Sequence, residues 1–291
     1  MGAKFQDIPC FIAIVFLYWN DRERLDNTLE EITSERSAGV EIWITDNASD
    51  TSYTPKVGNL PVHVIRSEVN LGYAGGINLA LSEILEENFE FILLLNTDIR
   101  FGREELTAFI NTAKEDHSSA IFGPVLCEGE SKYYGGRDIA RHLNTRLQEP
   151  GNPDYVPGTV FLCRAEAFRQ VGFLDPGYFF SGEIADFCRR ASERNMRLRI
   201  ISEVEVMHQV EEKSSLRESL YFYYNLRNRF LFARKHYTSK YGYYAAHWIL
   251  RGIRIFAGAL WLGKRTKARA VFWALYDGLM GNFGNRNDRF L

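Results

Sequence analysis

The segment 91–98 ends in a short carboxylate that directly follows a run of apolar residues. Five apolar side chains lead into Asn96, Thr97 and Asp98, and so short an apolar run is typical of a buried strand in a parallel sheet. Ligands of open α/β sheets bind beyond the carboxyl ends of the strands. A carboxylate there suits a divalent cation that also contacts phosphates. The alternative is that Asp98 caps a helix that begins near Gly102.

A second acidic segment, Asp46-Asn47-Ala48-Ser49-Asp50, follows the strand predicted for Val40 to Thr45. An acid at the end of a strand in this fold class can accept hydrogen bonds from a ribose or from a base N–H. The alternative is that Asn, Ser and Asp cap a turn, as they commonly do. Both interpretations remain open at this point.

The stretch 70–78, NLGYAGGIN, is rich in glycine, follows a predicted strand and opens a predicted helix. Its glycines would let the backbone approach a ligand closely, and a helix N-terminus favours anions. The stretch is therefore a candidate for binding an anionic ligand. The GxGxxG spacing of dinucleotide-binding proteins is absent. Tight packing of the helix on the strand is the alternative.

Glu183 and Asp186 form a carboxylate pair at the predicted start of another helix. Residues three apart share a helix face, so one acid could serve as a general base while the other orients it or pairs with a cation. The alternative is the acidic bias of first helical turns. His208 follows the strand-like segment 203–207, and a lone histidine gains interest only as a partner of Asp98 on one metal ion.

The elements that would position these side chains alternate between strand and helix in the first half of the chain. The predicted strands are 11–18, 40–45, 62–66, 91–95 and 120–125, and the predicted helices are 24–37, 75–88 and 106–116. This rhythm predicts an α/β fold with a doubly wound, mostly parallel sheet. Beyond it, we predict a long loop or irregular hairpin (127–155), strands (159–164 and 198–201), helices (165–171 and 183–195), an aromatic turn (173–181) and a helical region from 218 onward.

The composition is that of a protein with a substantial core. The chain has 291 residues, of which 46% are apolar, enough for one large domain or one domain with an appendage. The four cysteines are far apart and form no CxxC pair, which argues against a disulfide framework or a zinc site and favours a reducing cytosol. No signal peptide is visible, and the apolar stretch 10–19 is too short to span a bilayer.

The last quarter of the chain differs from the rest in charge. Residues 217–291 contain 14 Lys and Arg against 3 Asp and Glu, and 18 of the 41 aromatic residues of the chain. An acidic body with a basic, aromatic end indicates a partner that is anionic. Nucleic acid is not expected, because the body is acidic and no nucleic-acid-binding module is recognisable.

Within this region, apolar residues recur at helical spacing among basic ones. The apolar positions are Trp248, Ile249, Ile253, Phe256, Leu260 and Trp261. This combination suits a helix lying on an anionic membrane surface, and the charges exclude a simple spanning helix. The alternative is a helical subdomain that packs its aromatic residues on the catalytic core or on a second subunit; the oligomeric state is left open.

Taken in order, these segments resemble the family 2 glycosyltransferases with the GT-A fold, and in particular the rhamnosyltransferase-like branch of bacterial surface polysaccharide synthesis. The resemblance covers roughly residues 9 to 235. The segments are Asp46-Asn47-Ala48-Ser49, NLGYAGGIN, LLLNTD, the strand after Gly158 with Phe173-Leu174-Asp175, FFSGE with DFCRR, VMH and Arg227-Asn228.

The resemblance implies a role for each candidate residue. It implies a catalytic GT-A domain over 1–216, which binds a nucleotide sugar, and a basic, aromatic helical region over 217–291. Donor-binding residues would be Asp46, Asn47, Asn70, Gly72, Asn78, Asn96 and Asp98. Asp98 resembles the last acid of the DxD-type motif, which meets the metal and the diphosphate, and His208 resembles the downstream metal ligand. The implied cofactor is Mn or Mg, both of which suit carboxylate and phosphate oxygens.

One position departs from the family pattern. Glu183 matches the first acid of a Glu-Asp pair, but the position of the catalytic Asp is occupied by Ile184, and Asp186 matches the acid two residues later. The base would then be Glu183, with Asp186 as the second candidate. The expected reaction is inverting transfer of a sugar to a hydroxyl of a glycan or lipid-linked glycan, in the cytoplasm or on the cytoplasmic face of the membrane.

Two other functions are kept as alternatives. A sugar nucleotidyltransferase shares the sheet type, but it usually has an N-terminal glycine-rich phosphate loop with a basic residue, and Tyr18-Trp19-Asn20-Asp21 does not match that pattern. A non-catalytic subunit that binds a nucleotide sugar or a glycan is the second alternative, because of Ile184. Donor binding without turnover would favour that alternative.

Overall fold

The computed structural model describes residues 11–33, 39–56, 60–209 and 215–290. Its strands are β1 (Ile12–Tyr18), β2 (Val40–Asn47), β3 (Val62–Ser67), β4 (Phe91–Leu95), β5 (Ile99–Arg100), β6 (Ile121–Glu128), β7 (Ser131–Tyr133), β8 (Val160–Arg164) and β9 (Leu198–His208). Its α-helices are α1 (Arg22–Thr33), α2 (Gly72–Ile84), α3 (Arg103–Glu115), α4 (Ala165–Val171), α5 (Glu183–Ser192), α6 (Ser215–His236), α7 (Tyr241–Trp261) and α8 (Arg265–Met280).

The strands of the described chain form one sheet in the order β3-β2-β1-β4-β8-β6-β9-β5, with β7 paired to β6. Strands β3, β2, β1 and β4 are mutually parallel, β8 runs antiparallel to both of its neighbours, and β6 and β9 pair in parallel. The predicted α/β fold with a mostly parallel sheet flanked by helices is therefore confirmed. Helices cover both faces, as a sheet that is buried on both sides requires.

The apolar runs of the central strands fill both faces of the sheet. Successive side chains of a strand point to opposite faces, so in β1 the residues Ile12, Ile14 and Phe16 join one core cluster while Ala13 and Val15 join the other. The first cluster contains residues of α1 and α3, and the second contains residues of α2, α4 and α5. Both clusters hold the strand ends, and the polar residues beyond them, in fixed positions.

Several element bounds differ from the sequence-based prediction. The two strand segments predicted at 198–201 and 203–207 are one strand, β9, whose pairing with β6 shifts register between Pro124 and Val125. Helix α2 begins at Gly72 instead of residue 75, and α3 begins at Arg103 instead of residue 106. The end predicted for the first helix, 34–37, lies outside the described residues. Asp98 does not cap α3, whose N-cap is Gly102.

The C-terminal helices pack against the rest of the molecule. One apolar cluster joins Phe179 to residues of α6, α7 and α8, and another joins Ile139, Tyr178 and Ala185 to residues of α6 and α7. The proposed boundary at 216/217 falls within the first turn of α6, and these contacts run across it. Among the described helices, none combines the length and the apolar character needed to cross a membrane.

Candidate active site

Asp98 and His208 meet at the carboxyl end of the sheet, as the prediction of a shared site requires. Strand β5 pairs with the end of β9, which places Ile99 opposite His208. The imidazole Nε2 of His208 lies 3.2 Å from Asp98 Oδ2, and its Nδ1 lies 2.7 Å from Glu128 Oε1. Glu128 in turn pairs with Arg146. The result is a line of three titratable groups, Glu128, His208 and Asp98.

Two side chains at this point are of the types that bind a divalent cation. Asp98 Oδ1 is buried and has no hydrogen-bond partner among the residues that the structure describes, so one carboxylate oxygen is left for a ligand. Burial by itself raises the pKa of Asp98, but the hydrogen bond and the charge of His208 outweigh burial and lower it. A carboxylate and an imidazole supply two ligands, and a cation of the Mg type commonly completes its shell with substrate phosphates and water.

The orientation of His208 is set by Glu128. A histidine that binds a metal usually uses its second ring nitrogen on a carboxylate or a carbonyl, which fixes the tautomer. Glu128 holds Nδ1 of His208 and leaves Nε2 directed toward Asp98. The sequence analysis did not single out Glu128, because it lies 80 residues before His208 and only the pairing of β6 with β9 brings the two together.

Asp46 lies at the end of β2, but its carboxylate is engaged within the chain. Oδ1 accepts a hydrogen bond from the backbone N–H of Ser49, and Oδ2 accepts from the backbone N–H of Tyr53 and from Arg66. Asp46 is fully buried. Burial alone raises the pKa of Asp46, and these hydrogen bonds reverse the effect and lower it. The turn-capping alternative therefore describes this carboxylate in the structure, and a direct contact with the donor stays a prediction.

The glycine-rich stretch forms a rigid corner at the start of α2. Asn47 Nδ2 donates to Asn70 Oδ1 and to the carbonyl oxygen of Gly72, while Asn47 Oδ1 accepts from the N–H of Leu71. Gly72 has a φ of +72°, and a Cβ there would collide with the carbonyl and ring of Phe179. The predicted close approach of backbone is thus present, and the group that approaches is another segment of the chain.

Asn78 connects α2 to the segment before α5. Its Nδ2 donates to the carbonyl oxygen of Leu174 at 2.8 Å and its Oδ1 accepts from the N–H of Leu174 at 3.1 Å. Both polar atoms of the side chain are therefore used on backbone. In the structure Asn78 positions the aromatic turn that leads to Glu183, and its expected contact with the donor stays a prediction.

Glu183 begins α5 and lines a cavity of about 170 Å³. The side chain is 7% exposed, and within the described part of the chain its Oε2 has no hydrogen-bond partner. Burial raises the pKa of Glu183 to about 7, so near neutral pH this carboxyl can both accept and release a proton. Among the polar residues that also line the cavity are Thr145, Tyr155, Asn225, Asn228 and Arg229.

Tyr73 contacts Gly158, one of the residues that line the cavity of Glu183. Its hydroxyl donates to the carbonyl oxygen of Gly158 at 3.2 Å. Burial raises the pKa of Tyr73, and the charges of Glu183 and Asp98 raise it further, so the phenol lies within electrostatic range of both carboxylates. From the sequence, Tyr73 is only one residue of the glycine-rich stretch. A large aromatic side chain among glycines was the feature that could have marked Tyr73 as a site residue.

Asp186 lies one turn beyond Glu183 and has a different environment. Its carboxylate is fully buried and contacts Lys235, His236 and Arg190 at 2.6, 2.8 and 2.8 Å. Burial alone raises the pKa of Asp186, but the hydrogen bond of His236 and the charges of Lys235 and Arg190 more than compensate and lower it. This acid joins α5 to α6.

Ile184 occupies the position at which the family pattern places its catalytic acid, and its surroundings in the structure are apolar. Ile184 is 4% exposed and belongs to the core cluster that contains Phe161 and Phe187. A Cβ on Gly158 would lie 3.1 Å from Cγ1 of Ile184. Glu183 is therefore the acid of this turn that borders the cavity with an unpartnered oxygen.

Two further residues at the carboxyl end of the sheet were not proposed as ligands from the sequence. Trp19 follows β1 and is 58% exposed, which is unusual for so large an apolar side chain. The next residue, Asn20, accepts a hydrogen bond from the N–H of Asp50 and so joins the loops after β1 and β2. Asn96, which the resemblance does name as a donor-binding residue, lies at the end of β4, is half-buried and donates its N–H to the carbonyl oxygen of Thr159.

Comparison with known proteins identifies the family and the fold of the chain. The family model for glycosyl transferase family 2 matches residues 13–172, which is more than half of the chain. A mannosyltransferase from Pyrobaculum calidifontis, solved in complex with GDP-Man and Mn2+, has the same fold, with a TM-score of 0.55 and 12% identity over 95% of this chain and 90% of that one.

Two curated relatives indicate the enzyme class and the branch of the family. A low-salt glycan biosynthesis hexosyltransferase of Haloferax volcanii is 26% identical over 233 residues, covering 76% of this chain and 74% of the relative. An N-acetylglucosaminyl-diphospho-decaprenol L-rhamnosyltransferase of Mycobacterium tuberculosis is 20% identical over 278 residues, covering 83% and 89%. The expected enzyme class is confirmed: the chain is a glycosyltransferase that belongs to glycosyl transferase family 2, in its rhamnosyltransferase-like branch.

Proposed function

We propose that this enzyme transfers a sugar, with inversion, from a nucleotide-sugar donor to a hydroxyl of a glycan or lipid-linked glycan. The observation that carries the proposal is the carboxyl of Glu183, which borders a cavity and has an Oε2 without a hydrogen-bond partner among the described residues. The reaction requires a base for the acceptor hydroxyl and positive charge for the diphosphate leaving group. Glu183 would supply the base, and a cation held by Asp98 and His208 would supply the positive charge.

The donor would lie over the carboxyl ends of β1, β2 and β4. The exposed ring of Trp19 offers a stacking surface for the nucleobase. The corner built by Asp46, Asn47 and Arg66 would form one wall of the nucleoside site. The diphosphate would reach the Asp98–His208 pair. The donor side of the site would be shaped by Asn70, Gly72 and Asn96. These residues would position the surrounding backbone, because their hydrogen-bond partners lie within the chain.

Asp98 and His208 would hold Mn2+ or Mg2+, which when bound supplies positive charge that neutralises the diphosphate leaving group. The unpartnered Oδ1 of Asp98 supports this assignment. By holding Nδ1, Glu128 would leave Nε2 of His208, which lies 3.2 Å from Asp98 Oδ2, as the nitrogen that a cation would take. The cation is a proposal for this chain, and the neighbour with Mn2+ is related only in fold.

Glu183 would act as the base. Its Oε2 accepts the proton of the acceptor hydroxyl, and the freed oxygen forms a bond to the anomeric carbon on the face opposite the leaving group. The bond from that carbon to the diphosphate oxygen breaks, and its electrons leave with the nucleoside diphosphate. The proton stays on Glu183 until it is lost to solvent, and the configuration at the anomeric carbon is inverted.

The proposed acceptor class is supported by the groups that line the cavity and by the name of one relative. A cavity with hydroxyl, amide and guanidinium groups suits the hydroxyls of a sugar, and the mycobacterial relative is named for a diphospho-decaprenol-linked acceptor. We propose that the reaction serves surface polysaccharide synthesis on the cytoplasmic side of a membrane. The basic C-terminal region is the part of the chain that would meet that membrane.

A non-catalytic subunit that binds a nucleotide sugar is the competing function, and the observation that favours it is the buried, apolar Ile184. The two functions share the donor site and differ in whether Glu183 can replace the missing acid. Turnover, not donor binding, therefore separates them.

The first experiment is a thermal-shift panel of UDP-, GDP- and dTDP-sugars, each with and without Mn2+ or Mg2+. A ligand that binds only the native state raises the unfolding temperature. We expect one nucleotide class to give a metal-dependent shift that is lost in Asp98→Ala. The same donor should then be consumed in the presence of an acceptor. Donor binding without turnover on any acceptor would support the non-catalytic function instead.

A further inference from the structure

The outer face of α7 is an apolar surface that no other part of the described chain covers. Its exposed residues recur every three or four positions along the helix, as one face requires. We call them the α7 outer face: Tyr243, Ala246, Leu250, Ile253, Arg254, Ala257, Leu260 and Trp261. The exposed fractions of Tyr243, Leu250, Ile253 and Leu260 are all above one half, and that of Trp261 is 87%.

Some of the residues that were predicted from the sequence to face a membrane are buried in the structure. Trp248, which the sequence analysis placed on the membrane-facing stripe, is fully buried and donates its Nε1–H to the carbonyl oxygen of Ala140. Ile249 and Phe256 are partly buried against the same cluster as Trp248. Helix α7 therefore uses one face for the core and leaves the α7 outer face for a partner.

The exposed charges of α7 and α8 all have one sign. Helix α7 contains no Asp or Glu, and the single acid of α8, Asp277, is fully buried and paired with Arg289. Exposed cations lie on the face and just beyond it, at Arg254, Lys264, Arg265 and Arg269. An apolar helix face with a cationic border matches the chemistry of an anionic bilayer surface, in which acyl chains lie beneath negative headgroups.

We propose that the α7 outer face docks on a membrane that contains anionic lipid, with the helix lying in the plane of the interface. The helix has 21 residues, about 30 Å at the usual rise, but its cations and modest hydropathy exclude spanning. Docking deepens the proposed function, because it would hold the active site beside a lipid-linked acceptor. A second copy of the chain fits less well, because two such faces would bring like charges together.

The test is co-sedimentation of the full chain with vesicles of phosphatidylglycerol and phosphatidylcholine, compared with vesicles of phosphatidylcholine alone. We expect binding to the anionic vesicles only, weakening as salt is raised. The double variant Ile253→Glu/Trp261→Glu should lower the partition coefficient about tenfold or more, since it removes apolar contact and adds repulsion. The variant Lys264→Glu/Arg265→Glu should lower binding to the anionic vesicles in the same direction.

The matched control is Val64→Glu, which places the same charge on an exposed apolar position of β3, 37% exposed, and should bind vesicles as the wild type does. All variants are checked for unchanged unfolding temperature and for the donor-induced shift, which reports the proposed function separately. Equal binding by the double variant, or no binding of the wild type to anionic vesicles, overturns the proposal. A wild-type dimer that becomes a monomer in Trp261→Glu, without vesicle binding, overturns it in favour of self-association.

Discussion

Glu183 and Asp186 lie three residues apart on α5, yet their carboxylates experience opposite environments. Glu183 has an oxygen with no partner and borders a cavity, whereas Asp186 is surrounded by three cationic or protonatable groups. Desolvation without compensation raises a carboxyl pKa, and desolvation with opposite charges lowers it. A carboxylate whose pKa lies near neutral pH and whose oxygen has no internal partner suits a general base better than one that is held in ion pairs.

We predict that Glu183→Gln abolishes most of the transfer without affecting the donor. The amide keeps the shape of the side chain but cannot take a proton, so kcat should fall by about 10²–10⁴-fold. Donor affinity should change less than about twofold, because Glu183 faces the acceptor cavity. Initial rates and donor-induced thermal shifts measure the two quantities, and full activity of this variant would eliminate Glu183 as the base.

The pH dependence of the rate follows from the pKa of Glu183. A base works in its ionised form, which predominates above the pKa of about 7. We therefore expect kcat/KM to rise with pH and to level off above about 7, and to be lost progressively at lower pH. A pH profile from about 5 to 9 measures this limb. A profile that is flat across this range in the wild type would contradict the assignment.

The same group makes a separate prediction about folding. The pKa of Glu183 is raised from 4.5 in the unfolded reference to about 7 in the folded chain, so the folded state binds the proton more tightly. Its contribution to the free energy of unfolding therefore falls as pH rises through this window, by up to about 3 kcal/mol. Glu183→Gln should be more stable than the wild type at pH 8 and about equal at pH 4, as measured by urea unfolding.

At the residue scale, the sequence predicted the acids and the histidine but not their partners. Asp98 and His208 were expected to meet, and the pairing of β5 with β9 brings them together. Glu128 and Tyr73 depend on contacts between distant segments, which residue types and spacing do not encode. The sequence also does not show that both carboxylate oxygens of Asp46 are hydrogen-bonded within the chain. A capping acid and a ligand-binding acid have the same local sequence signature.

At the scale of elements, α5 and α6 are joined by a buried ionic network around Asp186. Lys235 contacts both Asp186 and Asp175 at 2.6 Å, and Tyr178 donates its hydroxyl to Asp186. Removing one partner of a buried ion pair leaves uncompensated charge. The second candidate base of the sequence analysis therefore has an evident function in holding two helices together.

We predict that Asp186→Asn lowers the free energy of unfolding by about 3 kcal/mol. Any loss of activity should then follow the loss of folded protein. The matched control is Glu30→Gln, which removes an exposed ion pair between α1 and Lys56 and should cost less than about 1 kcal/mol. An Asp186→Asn variant that is fully stable but inactive would reverse the roles assigned to the two acids.

Most helices and strands were predictable because their apolar periods are strong. The five buried residues of β4 are an example, since their run has no polar interruption. The errors have local causes. The register shift of β9 lies opposite Pro124, which has no N–H to complete the ladder, and strand β5 has two residues, too few for a periodic signal. Helix α2 starts early because Gly72 can adopt a positive φ.

At the scale of the whole molecule, the C-terminal helices form part of the cavity wall. Arg229 of α6 donates to the carbonyl oxygens of Ile139, His142 and Leu143, and its guanidinium stacks on Trp248 of α7. Ile139, Arg229 and Asn225 all line the cavity of Glu183. The loop that borders the proposed acceptor site is therefore held in place by helices more than 80 residues away in sequence.

We predict that Trp248→Ala destabilises the entire chain and not only its C-terminal end. Truncating a fully buried Trp should lower the free energy of unfolding by about 3–5 kcal/mol, in one cooperative transition seen by both circular dichroism and fluorescence. Trp261→Ala, on the same helix but 87% exposed, should change stability by less than about 0.5 kcal/mol. Two separate transitions would instead show that 217–291 unfolds as an independent domain.

The anchoring of loop 139–143 by Arg229 has a consequence for how acceptor preference could change between relatives. Because the loop and its supporting helices are distant in sequence but fitted to one another, recombination that exchanges either one alone would leave three carbonyl groups or one buried guanidinium unmatched. Chimeric enzymes should therefore retain activity only when 134–158 and 215–290 are taken from the same parent. The two segments would be inherited as one unit of acceptor recognition.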